Sequence, residues 1–104
     1  MLTREKLKAT RKTETIELTT LDGETATIKE LMPADQQFAF PNGDDDMQSA
    51  VRLVVRCLYG EDGKRLYGDN QTDQAANELS IATIKEIGAA VIRLSGLEDE
   101  AKNV

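Results

Sequence analysis

The chain has 104 residues, 39% of them hydrophobic, with two Phe, two Tyr and no Trp, so it can bury one modest, mainly aliphatic core and reads as a single domain. The net charge is −6, and the absence of His excludes the commonest general base, the Cys–His pair and the usual metal ligand together. Cys57 is the sole cysteine, which rules out an intramolecular disulfide and points to a cytoplasmic compartment, and no run approaches the ~20 apolar residues needed to span a bilayer.

The charge is unevenly placed. Residues 1–13 hold Arg4, Lys6, Lys8, Arg11 and Lys12 against Glu5, for +4, which leaves −10 on the remainder. An acidic body repels nucleic acid, and the basic segment has no aromatic residue on which a base would stack. With only Leu2 and Leu7 as large apolar residues after Met1, it is expected to be a flexible arm, and no apolar run of a secretory signal follows it. The same reading places one α+β domain over residues 14–97 and a short charged tail over 98–104.

A strand pattern begins near Thr13. Ile16 and Leu18 alternate with Glu17 and Thr19, and Ala26 and Ile28 alternate with Thr25, Thr27 and Lys29, on either side of Asp22-Gly23. A two-residue loop would pair Leu18 with Thr27 and put the apolar residues of the two strands on opposite faces. A three-residue loop, Leu21-Asp22-Gly23, pairs Leu18 with Ala26 and Ile16 with Ile28, with Gly23 left-handed in a bulged hairpin. Such a hairpin is marginal alone, so its apolar face must pack on the helices that follow.

Pro33 suits the first turn of a helix running to Phe38, and Phe40-Pro41-Asn42-Gly43 breaks it. Asp44, Asp45 and Asp46 then cap a helix that presents Met47, Ala50, Val51, Val54, Val55, Cys57 and Leu58 on one face, with Arg52 and Arg56 opposite. Cys57 is read as a small buried hydrophobe. Leu53 falls beside the polar face, either half-buried or open to a partner. Asp62-Gly63 joins Leu58-Tyr59 and Arg65-Leu66-Tyr67 as a small ribbon or a loop. Thr72 caps a short helix to Leu79. Ser80 caps the last one, whose stripe is Ile81, Ile84, Ile87, Gly88, Val91, Ile92 and Leu94, and Leu79 stands at staple spacing from Ile84. Gly96 fits the left-handed stop, after which Leu97 can fold back on Ile92. Gly88 either allows another backbone to approach closely or is simply tolerated.

Candidate sites for chemistry fail one by one. Counted as calcium loops, the run from Asp44 puts Ser49 and Val55 where Gly and a bidentate Glu are needed, and the run from Asp62 puts Lys64 and Leu66 at ligand positions. No Gly-rich phosphate loop follows a strand, and no Cys or His cluster exists for zinc. Ser80 and Ser95 are helix-boundary residues without a partner base. The expectation is a protein with no catalytic residue, no cofactor and no metal.

The order of these elements, with Glu61-Asp62-Gly63-Lys64-Arg65-Leu66-Tyr67 as the most recognisable stretch, resembles the tail assembly chaperones of long-tailed bacteriophages from about Glu14 to Leu97. The resemblance implies an α+β fold in which an N-terminal β-hairpin packs on a small, mainly helical body. It implies binding of the long helical tape measure protein, the tail tube protein as a further partner, and work in the cytoplasm of an infected or lysogenic bacterial host. Weak homo-oligomerisation is expected beside this, with neither nucleic acid nor membrane as partner. Phe38, Phe40, Leu53 and Ile92 are the partner-binding candidates, each large, apolar and at the edge of a buried face or at a break. The basic arm does not map onto the family, and no sign is present of the C-terminal extension some members gain by frameshifting. A structural tail completion or head-tail joining subunit is the alternative. Regulation through the arm on nucleic acid would require the arm to dominate an acidic body.

Overall fold

The computed structural model describes residues 1–8, 11–43 and 46–97. A hairpin of β1 (Thr13–Leu18) and β2 (Glu24–Lys29) lies against α5 (Ile81–Leu94), which packs on α3 (Met47–Cys57); α2 (Pro33–Ala39) and α4 (Thr72–Glu78) pack on α3 in turn, and a short helix, α1 (Arg4–Lys8), precedes the hairpin. The fold is therefore α+β, a hairpin on a mainly helical body.

The hairpin closes two residues away from the expected register. Ile16 stands opposite Ala26 and Leu18 opposite Glu24, so the Leu18–Ala26 and Ile16–Ile28 pairs do not form. Residues 19–23 make the loop: one 3-10 turn over Thr19–Leu21, then Asp22 and Gly23 at φ 56° and 84°. The cause lies outside the hairpin. The Glu86 carboxylate on α5 accepts from the backbone N–H groups of Thr19 and Thr20 at 2.9 and 3.1 Å and from their hydroxyls at 2.7 and 2.8 Å, which satisfies donors that a tighter turn would have left to the ladder. A shift of two keeps every side chain on its face. Leu18 and Ile28 are accordingly buried, with Ile16 and Ala26 packed partly against them.

The extended segment expected at Leu58-Tyr59 forms, and it also joins the hairpin's sheet, a pairing the sequence does not predict. β3 (Leu58–Tyr59) leaves the end of α3 directly and pairs antiparallel with β2, Ile28 opposite Leu58, giving the order β1-β2-β3. Lys29 Nζ sits 4.3 Å from the centre of the Tyr59 ring, a cross-strand cation–π contact. The ribbon reading of Asp62-Gly63 holds as well, because Tyr59 bridges to Arg65 and Gly60 N–H donates to Lys64 O at 2.9 Å.

Helix ends follow their local chemistry. Pro33 opens α2, the Asp46 carboxylate accepts from Ser49 N–H at 2.8 Å, and Ser80 Oγ accepts from Thr83 N–H at 3.1 Å. Asp44 and Asp45, also expected as caps, lie outside the described residues. Thr72 is the first residue of α4, not its cap. A 3-10 turn over Asp69–Gln71 precedes it, in which Gln71 Oε1 accepts from Gly68 N–H at 2.6 Å. Gly96, at φ 77°, ends α5, and Leu97 N–H donates to Ile92 O at 3.1 Å. This is the 6→1 bond that commonly closes a helix.

Val51, Val54, Val55 and Cys57 of α3 meet Ile84, Ile87 and Val91 of α5, with Leu18, Ile28 and Ala75 beside them. The stripes end short of the helix starts, since Met47 is 39% and Ile81 60% exposed.

The basic segment is tied down at its root. The Arg11 guanidinium donates to Glu30 O at 3.1 and 3.2 Å and to Asp35 Oδ2 at 2.9 Å, and Asp35 Oδ1 accepts from Arg56 Nε at 2.9 Å. Arg56 reaches Asp69 at 3.1 Å, and Arg65 reaches it at 2.6 Å. Asp35 is 5% exposed, and its carboxyl oxygens accept from two guanidinium groups and the Met32 N–H. Arg56, expected on the solvent side, is thus partly buried.

Candidate functional site

An apolar groove of about 490 Å³ opens between α3 and α5. Ala50 and Leu53 of α3 and Ile84 of α5 lie along it, Phe40 and Gly43 come from the end of α2 and the turn after it, and Ile92 and Leu97 mark the end of α5. Gln36 and Lys85 add polar groups.

Its shape depends on small residues. Gly88 and Ala89 face the groove from α5, and no atom lies within 4 Å of the position a Gly88 Cβ would take. The glycine therefore serves no close helix contact. It leaves a trough where a larger side chain would have covered the neighbouring apolar surface.

Three of the four candidates come together here. Phe40 and Ile92 are half-buried groove residues, and Leu53 lies with them. Leu53 corrects the sequence reading: it is 3% exposed. α3 packs against α2, α4 and α5 at once, and its buried face is wider than a single stripe predicts. Leu53 is groove floor and core in one. Phe38 stands apart, its ring 5.8 and 5.1 Å from the guanidinium carbons of Arg52 and Arg56, so its apolar face is occupied by cations of its own chain. Ala50, Ala89 and Leu97 were missed as groove residues. The backfolded stop after Gly96 was the available signal for Leu97.

A second hollow, of about 340 Å³, lies between the hairpin and α4, among Leu18, Leu21, Leu66, Tyr67 and Leu79. Tyr67 OH donates to Glu78 Oε1 at 2.7 Å. Burial and the Glu78 carboxylate push the phenol up to about 12, which keeps it protonated. Burial raises the Cys57 thiol to about 12 as well, so it carries no thiolate near neutrality. Among the described residues, no three Cys, Asp or Glu side chains gather as a metal site.

No family model and no curated protein matches the sequence. Among solved structures, the chain is similar to the bacteriophage HK97 tail assembly chaperone, with a TM-score of 0.64 over 88% of this chain and 95% of that chain at 13% sequence identity. At that identity the likeness is one of fold, and it supports a distant, fold-level relation to a tail assembly chaperone.

Proposed function

We propose that the chain is a phage tail assembly chaperone that binds the tape measure protein, keeps it soluble and assists assembly of the tail tube around it, acting by binding and without catalysis. The reading rests on the fold likeness to the HK97 tail assembly chaperone, which spans nearly the whole of both chains. The groove supplies a physical means. An amphipathic helix lays apolar side chains at i, i+3, i+4 and i+7 into such a trough, where half-buried Phe40 and Ile92 offer apolar surface over the Leu53 floor. The tail tube protein is a further partner in this scheme, and the host cytoplasm is where the assembly proceeds.

Co-expression tests it directly. The tape measure protein stays soluble and co-elutes on size-exclusion chromatography with this chain present, and aggregates without it. Gly88→Lys, which fills the trough with a charged side chain, abolishes the complex. Equal solubility with and without the chain, and no complex, would overturn the reading in favour of a structural tail component.

A further inference from the structure

We propose that Asn42 is a site of self-modification, at which the backbone nitrogen of Gly43 closes on the Asn42 side chain and the product resets the α2 side of the groove. The reaction needs only this chain and water, so it stands apart from the tape measure reading.

The asparagines are Asn42, Asn70, Asn77 and Asn103, and the last lies outside the described residues. Asn70 sits in the 3-10 turn before α4 and is followed by Gln71, while Asn77 lies within α4 and is followed by Glu78. A helical backbone aims the next N–H along the axis, away from the asparagine's own side chain, and a Cβ on the next residue crowds the attack. Asn42 meets neither obstacle. It is followed by Gly43, and Pro41, Asn42 and Gly43 are all exposed. Its side-chain amide makes no hydrogen bond among the described residues, and it borders a small hollow of about 150 Å³ that leaves room for a ring. The turn is closed by one bond, from Gly43 N–H to Phe40 O at 3.1 Å. An exposed turn held in this way opens locally without unfolding the core. Asp22-Gly23 and Asp62-Gly63 have the same spacing, but their carboxylates repel the attacking nitrogen, and Asp62 Oδ1 is also engaged by Lys64 N–H at 3.0 Å.

The steps balance with water as the sole co-reactant. Hydroxide takes the Gly43 N–H proton, the nitrogen attacks Asn42 Cγ, and the Cγ–Nδ2 bond breaks, with Nδ2 leaving as ammonia after gaining a proton from water. The five-membered imide then adds water at one of its two carbonyls. Opening at Cγ gives aspartate. Opening at the main-chain carbonyl gives isoaspartate, whose backbone runs through Cβ and Cγ and is one carbon longer. Phe40 and Gly43 both line the groove, and residue 42 lies between them. The imide nitrogen carries no proton, so the bond to Phe40 O is lost, and the extra carbon of the isoaspartate keeps the two lining residues apart. The end of α2 is thereby reset in one direction only, since the ammonia departs.

Peptide mapping of the full chain, held in warm, mildly alkaline buffer, tests the site. The peptide containing Asn42 should gain about 1 Da at least roughly tenfold faster than those containing Asn70 or Asn77, because only its successor lacks a Cβ. Methyl transfer by an isoaspartyl methyltransferase should detect the longer product and be lost in Asn42→Gln. Converted protein, separated by anion exchange, should show shifted amide resonances at Ala50 and Leu53, the α3 residues of the groove. Asn42→Asp adds the charge but no backbone carbon and should leave these resonances near their parent positions. Equal rates at the three asparagines, or methyl transfer undiminished in Asn42→Gln, would overturn the site. Shifts confined to residues 41–43, or reproduced in full by Asn42→Asp, would overturn its effect on the groove.

Discussion

Glu86 is the side chain that decides how the hairpin turns. Hydrogen bonds from the Thr19 and Thr20 hydroxyls and N–H groups hold its carboxyl down to about 2, against an ordinary 4.5. The folded state therefore binds its proton less tightly than the unfolded chain does. Its stabilising effect is complete above the unfolded value and is lost as pH falls from about 4.5 towards about 2. Glu86→Gln places an amide NH2 among N–H donors and should lower Tm near neutrality. The Tm difference between parent and variant should close on acidification through that window, followed by circular dichroism. A difference that stays constant with pH would mean the carboxylate charge is not what holds the loop.

At the scale of elements, two glycines of the last helix region should respond in opposite directions. Gly88→Ala meets nothing within 4 Å and gains helix propensity, so it should stabilise by up to about 1 kcal/mol. Gly96→Ala must hold a side chain at φ 77° and should destabilise by about 1–2 kcal/mol. Ile84, 2% exposed where α5 meets α3, should cost about 2–5 kcal/mol on truncation to Ala, measured by chemical denaturation. A loss below about 0.5 kcal/mol would place it with ordinary surface positions.

The same elements show which parts of the fold can be read from the chain. Periodicity identifies α3, α5 and the inward face of the hairpin, because the apolar residues themselves generate those signals. It misses the register, which is set by Glu86 from 66 to 67 residues away in sequence. Leu58-Tyr59 is legible as an extended segment, but its pairing with β2 is missed because two residues cannot carry an alternation that fixes a face. Leu53 is misjudged because a single-stripe helix model assumes one neighbour, whereas α3 has several. The groove is only partly legible. Phe40 and Ile92 announce themselves as large apolar residues at a break and an edge, but the trough depends on what Gly88 and Ala89 leave uncovered, and that is a property of the packed pair of helices.

As a whole molecule the protein should behave as one cooperative unit, although its sequence divides neatly into hairpin and helices. Leu18 and Ile28 belong to the same buried cluster as Val54 and Ile87, and α3 passes into β3 without a linker. Leu31 N–H donates at 2.8 Å to Ser95 Oγ, so the segment after β2 is fastened to the end of α5. Arg11 and Asp35 couple the start of the hairpin to α2, and Asp35 with Arg56 couples α2 to α3. Releasing Leu18, Ile28 or Leu58 from the sheet therefore opens the helical core. Tyr59 gives a local probe of the sheet, since it lies in β3 under Lys29, and far-UV circular dichroism follows the helices. In Tyr67→Phe protein, which leaves Tyr59 as the sole tyrosine, urea unfolding monitored by tyrosine fluorescence and by circular dichroism should give coincident midpoints. Sheet fluorescence lost at lower urea than helical signal would show that the hairpin is a separable element, held on the body more weakly than these shared contacts require.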